Sequence, residues 1–247
     1  MAEKLTESNH LWNFYESERE RKKYQNRIRR FLVPLIQQPA SRILEVGAGS
    51  GYGSILLKDL GFDVEAVDPF FREDVCKRLP FLHRGSGLAM SFFSDQEFDF
   101  TFSLEVIEHV GTTDGGLALA PDFREQRAQF ISELCRVTRG LVVIATPNKR
   151  FPFDEHGNGF LGSFRPHSPF ENETLSVREL KQMFSENGFP QCNYLDPRGY
   201  FALERVTKLF GLNLAKTVNA AIRVTNTRLL GQTILNPHLF LSFHRSR

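Results

Sequence analysis

The stretch Ile43-Leu44-Glu45-Val46-Gly47-Ala48-Gly49-Ser50-Gly51 sets an apolar run, one carboxylate and three alternating glycines side by side. Glycines that follow a buried strand let a ligand approach the main chain where a Cβ would stand in the way. A dinucleotide site spaces them GxGxxG, so that a helix start faces a pyrophosphate. The spacing here is GxGxG, and Glu45 stands two residues before Gly47. A carboxylate at that point repels phosphate and suits a ligand carrying a cationic amino group and a sulfonium. Asp68, in Ala66-Val67-Asp68-Pro69, ends the next apolar run, where an acidic side chain can accept both hydrogen bonds of a ribose diol.

A second group of reactive residues follows the run Phe98–Leu104: Glu105, Glu108 and His109. In an open parallel sheet the C-terminal strand ends face the ligand. Were a group transferred to a hydroxyl there, its proton would have to leave, and a histidine that titrates near neutrality is the natural base. His109 is the first candidate, with Glu108 beside it; the competing reading is a His109 that only bridges structure at the start of a loop. Two carboxylates with one or two imidazoles also suit a divalent ion loosely. Glu105, Glu108, His109 and His156 are the candidate ligands, with His167 in place of His156, although the favoured reading has no metal.

These residues need a frame. Residues 11–36 carry Trp12, Tyr15, Tyr24, Ile28, Phe31 and Leu32 near helical spacing and end at Pro34. Strand and helix signals then alternate: strand Arg42–Val46, helix Gly51–Leu60, strand Val64–Val67, strand Phe98–Leu104, helix Phe123–Thr138, strand Leu141–Ala145. Helix Leu175–Asn187 and the strands Gln191–Leu195 and His238–His244 complete the series. Such alternation argues a parallel sheet covered on both faces. Two long loops, Gly111–Asp122 and Pro147–Pro169, follow the reactive strand ends. The second holds Asn148, Phe153, His156, Arg165 and His167, candidate contacts to an acceptor, since long aromatic loops often close active sites. The plainer reading has its aromatics patching the core from outside.

EVGAGSGYG resembles motif I of the class I S-adenosylmethionine (SAM)-dependent methyltransferases, and AVDPF resembles the end of their second strand. The resemblance implies an α/β, Rossmann-like fold with a seven-stranded, mostly parallel sheet, helices on both faces and an antiparallel last strand. It implies SAM as cofactor and S-adenosylhomocysteine as product. Gly47, Ala48, Gly49 and Gly51 would lie beneath the methionine part, with Glu45 orienting the loop or, through water, the amino group. Asp68 and Pro69 would hold the ribose, and Leu104 and Glu105 would flank the methionine. Tyr15 and Tyr24, on the N-terminal helix, would close over the cofactor. Many relatives hold the adenine amino group with an acidic residue after the third strand; this chain has Gly85-Ser86-Gly87-Leu88 there, so Ser86, Gly87 and the Leu88 backbone must substitute.

The EVIEHV stretch resembles ubiquinone-biosynthesis O-methyltransferases and similar small-molecule enzymes. That implies methyl transfer to a hydroxyl of a natural product, glycan or lipid precursor. Glu105-x-x-Glu108-His109 also resembles the metal site of small-RNA 3′-end 2′-O-methyltransferases, so metal-dependent RNA methylation is one alternative and N-methylation of a small amine another.

The remainder of the sequence sets bounds. With 247 residues, 41% of them hydrophobic and 24% charged, the chain reads as one soluble domain with a sizeable core. We expect an N-terminal helical cap over residues 1–38 and a helical insertion over 202–235. A net charge of +2 demands no polyanionic partner, and no nucleic-acid-binding module is recognisable. After Asp196 the only acidic residue is Glu204 against eight Lys and Arg, a basic segment that either solvates a helix face or touches a membrane surface. No run of 18 apolar residues and no secretory h-region occur, and Cys76, Cys135 and Cys192 are scattered. The expectation is a cytoplasmic protein with reduced thiols, monomeric or homodimeric.

Overall fold

The structure, a computed structural model, describes residues 18–36, 41–69, 81–113, 118–150, 174–195 and 238–246. Strand β1 (Arg42–Val46) sends Leu44 and Val46 into one apolar layer and Ile43 into another. A strand with two apolar faces requires cover on both, and the chain supplies it. Helices α1 (Glu18–Arg27) and α2 (Tyr52–Asp59) lie on one side, where Leu56 and Leu57 of α2 meet Ile28 and Leu32, which follow α1. Helices α3 (Phe123–Val137) and α4 (Val177–Glu186) bury Phe130, Leu134, Leu180 and Phe184 on the other side.

Among the described residues the main sheet has seven strands. Beside β1 they are β2 (Asp63–Asp68), β3 (Leu82–Arg84), β4 (Phe98–Leu104), β7 (Thr138–Pro147), β8 (Gln191–Tyr194) and β9 (His238–His244), with β5 (Thr112–Thr113) and β6 (Ala118–Leu119) forming a separate small hairpin. The order is β3-β2-β1-β4-β7-β9-β8. All pairs from β3 to β7 are parallel, and β9 runs antiparallel to both β7 and β8. The chain builds outward from β1 to β3, then restarts at β4 on the other side of β1. That reversal opens a crevice above the C-terminal ends of β1 and β4, the place where open α/β sheets bind ligands.

Several local outcomes differ from the sequence expectation. The helix read over residues 11–36 is α-helical only to Arg27 in its described part; Ile28–Leu32 widens into a π turn and Val33–Leu35 tightens into a 3-10 turn as Pro34 approaches. Strand β7 begins at Thr138, not Leu141, because Phe98 pairs with Thr138 across a register shift. Strand β3 has no range among the strand signals but stands just before Gly85, where the resemblance implies a third strand, and the loop Gly111–Asp122 contains the β5–β6 hairpin. Helix α4 begins at a capping box: Ser176 Oγ accepts from the Glu179 amide, and the Glu179 side chain accepts from the Ser176 amide.

Cys135 and Cys192 are free thiols, and burial pushes Cys135 up to about 12. Arg245, one of the late basic residues, donates to the carbonyls of Cys135 and Thr138 and so caps the end of α3. Among the described residues no helix is long and apolar enough to cross a membrane. The 202–235 insertion lies outside the described residues.

Candidate active site

The glycine turn is built by its neighbour strand. The amides of Gly47 and Ala48 donate to the Val67 carbonyl at 2.8 and 3.3 Å, and the Gly51 amide donates to the Ala48 carbonyl at 2.8 Å. Gly47 has φ +82°, and a Cβ there would collide with Val106. No other residue type satisfies both conditions without strain. At Gly49 a Cβ would meet nothing within 4 Å, so that side of the turn is open. Asp68, buried at the end of β2, accepts the Gly49 amide on Oδ2 at 2.8 Å and so ties the turn to the ribose position.

Above these strand ends lies a cavity of about 580 Å³. Its walls bring together the predicted Gly47, Ala48, Gly49, Asp68, Pro69, Ser86, Gly87, Leu88, Leu104, Glu105 and His109. The turn Gly47–Gly49, Asp68 and the Ser86–Leu88 segment come from the ends of three successive strands. These are the segments expected at the methionine, ribose and adenine of SAM, and all three line the one cavity.

At the adenine end the Leu88 amide donates to Ser86 Oγ at 3.2 Å, and Gln129 of α3 donates to the Leu88 carbonyl. A Cβ on Gly87 would stand 2.5 Å from Phe130 Cε2 and 2.9 Å from Val46 Cγ1. Glycine is therefore needed for Phe130 and Val46 to close round this end, and both line the cavity. The Glu133 carboxylate accepts the Met90 amide at 2.7 Å, while Arg136 donates to the carbonyls of Met90 and Phe93. The segment expected to meet the adenine is thus anchored to α3.

Glu45 and Gly51 are not on the cavity wall. By the two-residue period of a strand, Glu45 shares the α1/α2 side with Ile43. There its Oε2 accepts the Ser54 amide at 2.8 Å and Ser54 Oγ at 2.5 Å, and its Oε1 accepts Tyr24 OH at 2.9 Å. The carboxylate pins the helix after the turn and the N-terminal helix to one point. Burial raises its pKa to about 7 despite the hydrogen bonds from Ser54 and Tyr24 that oppose the shift.

At the end of β4, Glu105 adopts φ +58°, a left-handed conformation costing a non-glycine residue on the order of 1 kcal/mol. Its amide donates to the Ala145 carbonyl at 2.8 Å, which holds the bend. Its Oε2 lies 3.3 Å from Nδ1 of His238, the first residue of β9. Burial alone would raise Glu105, but His238 and then Arg27 outweigh it and hold its carboxyl below the ordinary range.

Glu108, named with His109 as a catalytic candidate, lies behind the wall: it is buried, and Oε2 accepts Thr146 Oγ1 at 3.2 Å. Burial and then the Glu105 charge push its carboxyl well above the ordinary range. His109, in the short 3-10 turn Ile107–His109, is exposed and lines the cavity.

The turn that carries His109 is clamped from α3. Arg127 is fully buried and donates from Nε to the Val110 carbonyl at 3.2 Å and from Nη2 to the Glu108 carbonyl at 3.0 Å. The sequence reading missed Arg127, Phe130, Arg27 and His238. For Arg127 a signal existed: it occupies the apolar stripe of α3, one turn before Phe130 and Ile131.

Asn148 is buried, and its Oδ1 accepts the Arg150 amide. Tyr15, Phe153, His156, Arg165 and His167 lie outside the described residues. Among the described residues no three His, Cys, Asp or Glu side chains gather as metal ligands would.

A sequence model of the family described as "Methyltransferase domain" matches residues 15–190. A Mycolicibacterium smegmatis protein named "Probable S-adenosylmethionine-dependent methyltransferase" is 30% identical over 154 residues, 60% of this chain and 51% of its own. A Mycobacterium tuberculosis protein of the same designation is 30% identical over 157 residues, 61% of this chain and 49% of its own. The chain spans about half the length of these curated relatives. Among solved structures, a SAM-dependent methyltransferase from Archaeoglobus fulgidus superposes with a TM-score of 0.59 at 18% identity, covering 95% of this chain and 99% of that one. Phosphoethanolamine N-methyltransferase 2 of Haemonchus contortus, solved with phosphomonomethylethanolamine and S-adenosylhomocysteine, gives 0.54 at 14% identity over 94% of this chain and 58% of its own. These two likenesses bear on the fold.

Proposed function

The chain belongs to the class I SAM-dependent methyltransferases, with SAM as its methyl donor, and on that premise we propose that it methylates a hydroxyl of a small molecule, with His109 as proton acceptor. The observation that carries the second half is the position of His109: it stands on the wall of the same cavity as the glycine turn, and it is exposed. SAM supplies an electrophilic methyl group on its sulfonium. The protein's part is to align acceptor oxygen, methyl and sulfur and to take up the hydroxyl proton. Arg127 keeps the His109 turn in place through two backbone carbonyls. Glu108, buried against Thr146, supports the same turn from behind. Cavity residues Val110 and Gly111 extend the wall toward the β5–β6 hairpin, where an acceptor would rest.

The test uses the full chain, labelled SAM and panels of hydroxylated small molecules, small amines and RNA, each with and without a chelator. Transfer to hydroxyls that survives chelation is expected, and His109→Ala should slow it roughly 100-fold with SAM affinity retained. Transfer confined to amines, or chelator-sensitive transfer to RNA, contradicts the acceptor class. A variant rate within twofold of wild type removes His109 from the role.

A further inference from the structure

The positive charge of the chain is concentrated on α1 and the turn that follows it. Residues 19–30 contain seven Lys or Arg and one acid, an excess of six in a chain whose net charge is +2, so the rest of the chain is net acidic. Packing decides where these cations point. Ile28 and Leu32 are fully buried against Leu56 and Leu57 of α2, and Tyr24 turns inward to bond Glu45. The other side of the helix must then face outward, and Arg21, Lys22, Asn26, Arg29 and Arg30 are exposed. Lys22, Asn26 and Arg29, at i, i+4 and i+7, share one face. Among the described residues none of Arg21, Arg29 and Arg30 forms an ion pair. Like charges this dense repel one another, a cost that a bound anion relieves.

The extent of the stripe and its neighbours define the anion. From Arg21 to Arg30 the backbone advances roughly 13 Å at the rise of a helix, more than one phosphate spans, so the face suits a surface of repeated anions. It runs directly into Val33-Pro34-Leu35-Ile36, where Pro34 is exposed and the three other apolar side chains are only half-buried. Cations bordered by partly exposed apolar residues fit a lipid headgroup layer, which offers phosphates above and hydrocarbon below. A single-stranded polynucleotide would ask for aromatic faces among the cations. Here Tyr24 is engaged with Glu45, and the Phe31 ring stands edge-on to Phe240 with Arg30 over it.

We propose that this face of α1 and the turn after it dock on the surface of an anionic lipid bilayer, with Arg21, Lys22, Arg29 and Arg30 on headgroup phosphates and Val33–Ile36 at the headgroup boundary. Because Tyr24 and Arg27 of the same helix line the cavity, docking holds the site within about one helix diameter, some 10 Å, of the bilayer. The inference stands on α1 and does not depend on the acceptor class proposed above.

The test is sedimentation of the full chain with vesicles of phosphatidylcholine alone and of phosphatidylcholine with about 30% phosphatidylglycerol, at about 0.1 M salt. Wild type should bind the anionic vesicles at least tenfold more tightly than the neutral ones, and added salt should weaken that binding. Arg29→Gln/Arg30→Gln should lose roughly 30-fold in affinity for the anionic vesicles, the contribution of two cations at the membrane surface. Arg124→Gln/Arg178→Gln removes the same charge from exposed positions on α3 and α4, across the sheet from α1, and should bind as wild type does. Circular dichroism melts check that each protein is folded. A wild type without preference for anionic vesicles overturns the proposal, and one that binds single-stranded RNA instead assigns the face to a polynucleotide. An Arg29→Gln/Arg30→Gln protein that keeps wild-type affinity overturns it as well, as does a control variant that loses equally.

Discussion

Replacing Glu45 by Gln should change how stability depends on pH, and the size of the change follows from the site. Glu45 is buried to 1% exposure, and its folded-state pKa is raised from 4.5 to about 7, chiefly by burial. A carboxyl with a raised pKa binds its proton more tightly when folded. Between pH 4.5 and 7 the folded chain therefore carries more protons than the unfolded one, and stability falls as pH rises through that window. The contribution is complete below pH 4.5 and lost above pH 7. A difference of two to three pH units corresponds to about 3 kcal/mol at 1.36 kcal/mol per unit. Gln mimics the protonated acid: it keeps an acceptor for Ser54 and cannot ionise. Urea unfolding of cofactor-free wild type and Glu45→Gln at pH 5, 6, 7 and 8 measures the effect. Other titrating groups are common to both proteins and largely cancel in the difference. We expect wild type to lose about 3 kcal/mol relative to the variant across the series. A difference that stays flat within 0.5 kcal/mol, roughly the additivity error of such comparisons, refutes the buried-acid account of Glu45.

Gly87→Ala places a methyl 2.5 Å from Phe130 Cε2, so adenosine and SAM should both bind at least tenfold more weakly by calorimetry, while unchanged affinity would show that Phe130 yields freely. Arg127→Met removes the donors to the Glu108 and Val110 carbonyls inside a buried site. It should cost about 2–3 kcal/mol in urea unfolding and lower turnover more than SAM affinity, an outcome excluded if the variant matches wild type in both.

The donor half of the site was readable because it is nearly contiguous. Strand, glycine turn and helix follow one another from Ile43 to Asp59, and Asp68 ends the next strand, so local pattern alone places the turn and its partner. The rest depends on pairings that local pattern does not encode. Strand β3 has three residues, His83 and Arg84 among them, and owes its form to pairing with β2 and to His83 lying against Glu65 and Phe92. The early start of β7 comes from Phe98 across the sheet, against the turn signal of Arg139-Gly140.

Arg127, Glu133 and Arg136 are charges within a helix whose pattern names no partner for them. In the fold they clamp the segments carrying His109 and Leu88, because those loop carbonyls and amides need partners once buried. His238 could not be linked to Glu105 from sequence, since their side-chain contact exists only once β9 has paired with β7. Glu108 shows the reverse case. Its type suggested chemistry, and the fold turned it inward against Thr146.

Everything in this account depends on the nucleoside sitting between the glycine turn and Asp68. The most direct measurement is calorimetric titration of the wild-type chain and Asp68→Ala with S-adenosylhomocysteine, the demethylated product. The account predicts saturable binding to wild type and a loss of more than tenfold in the variant, about 1.4 kcal/mol. Absence of binding to folded wild type at millimolar ligand, or an Asp68→Ala protein that binds as tightly as wild type, would contradict it.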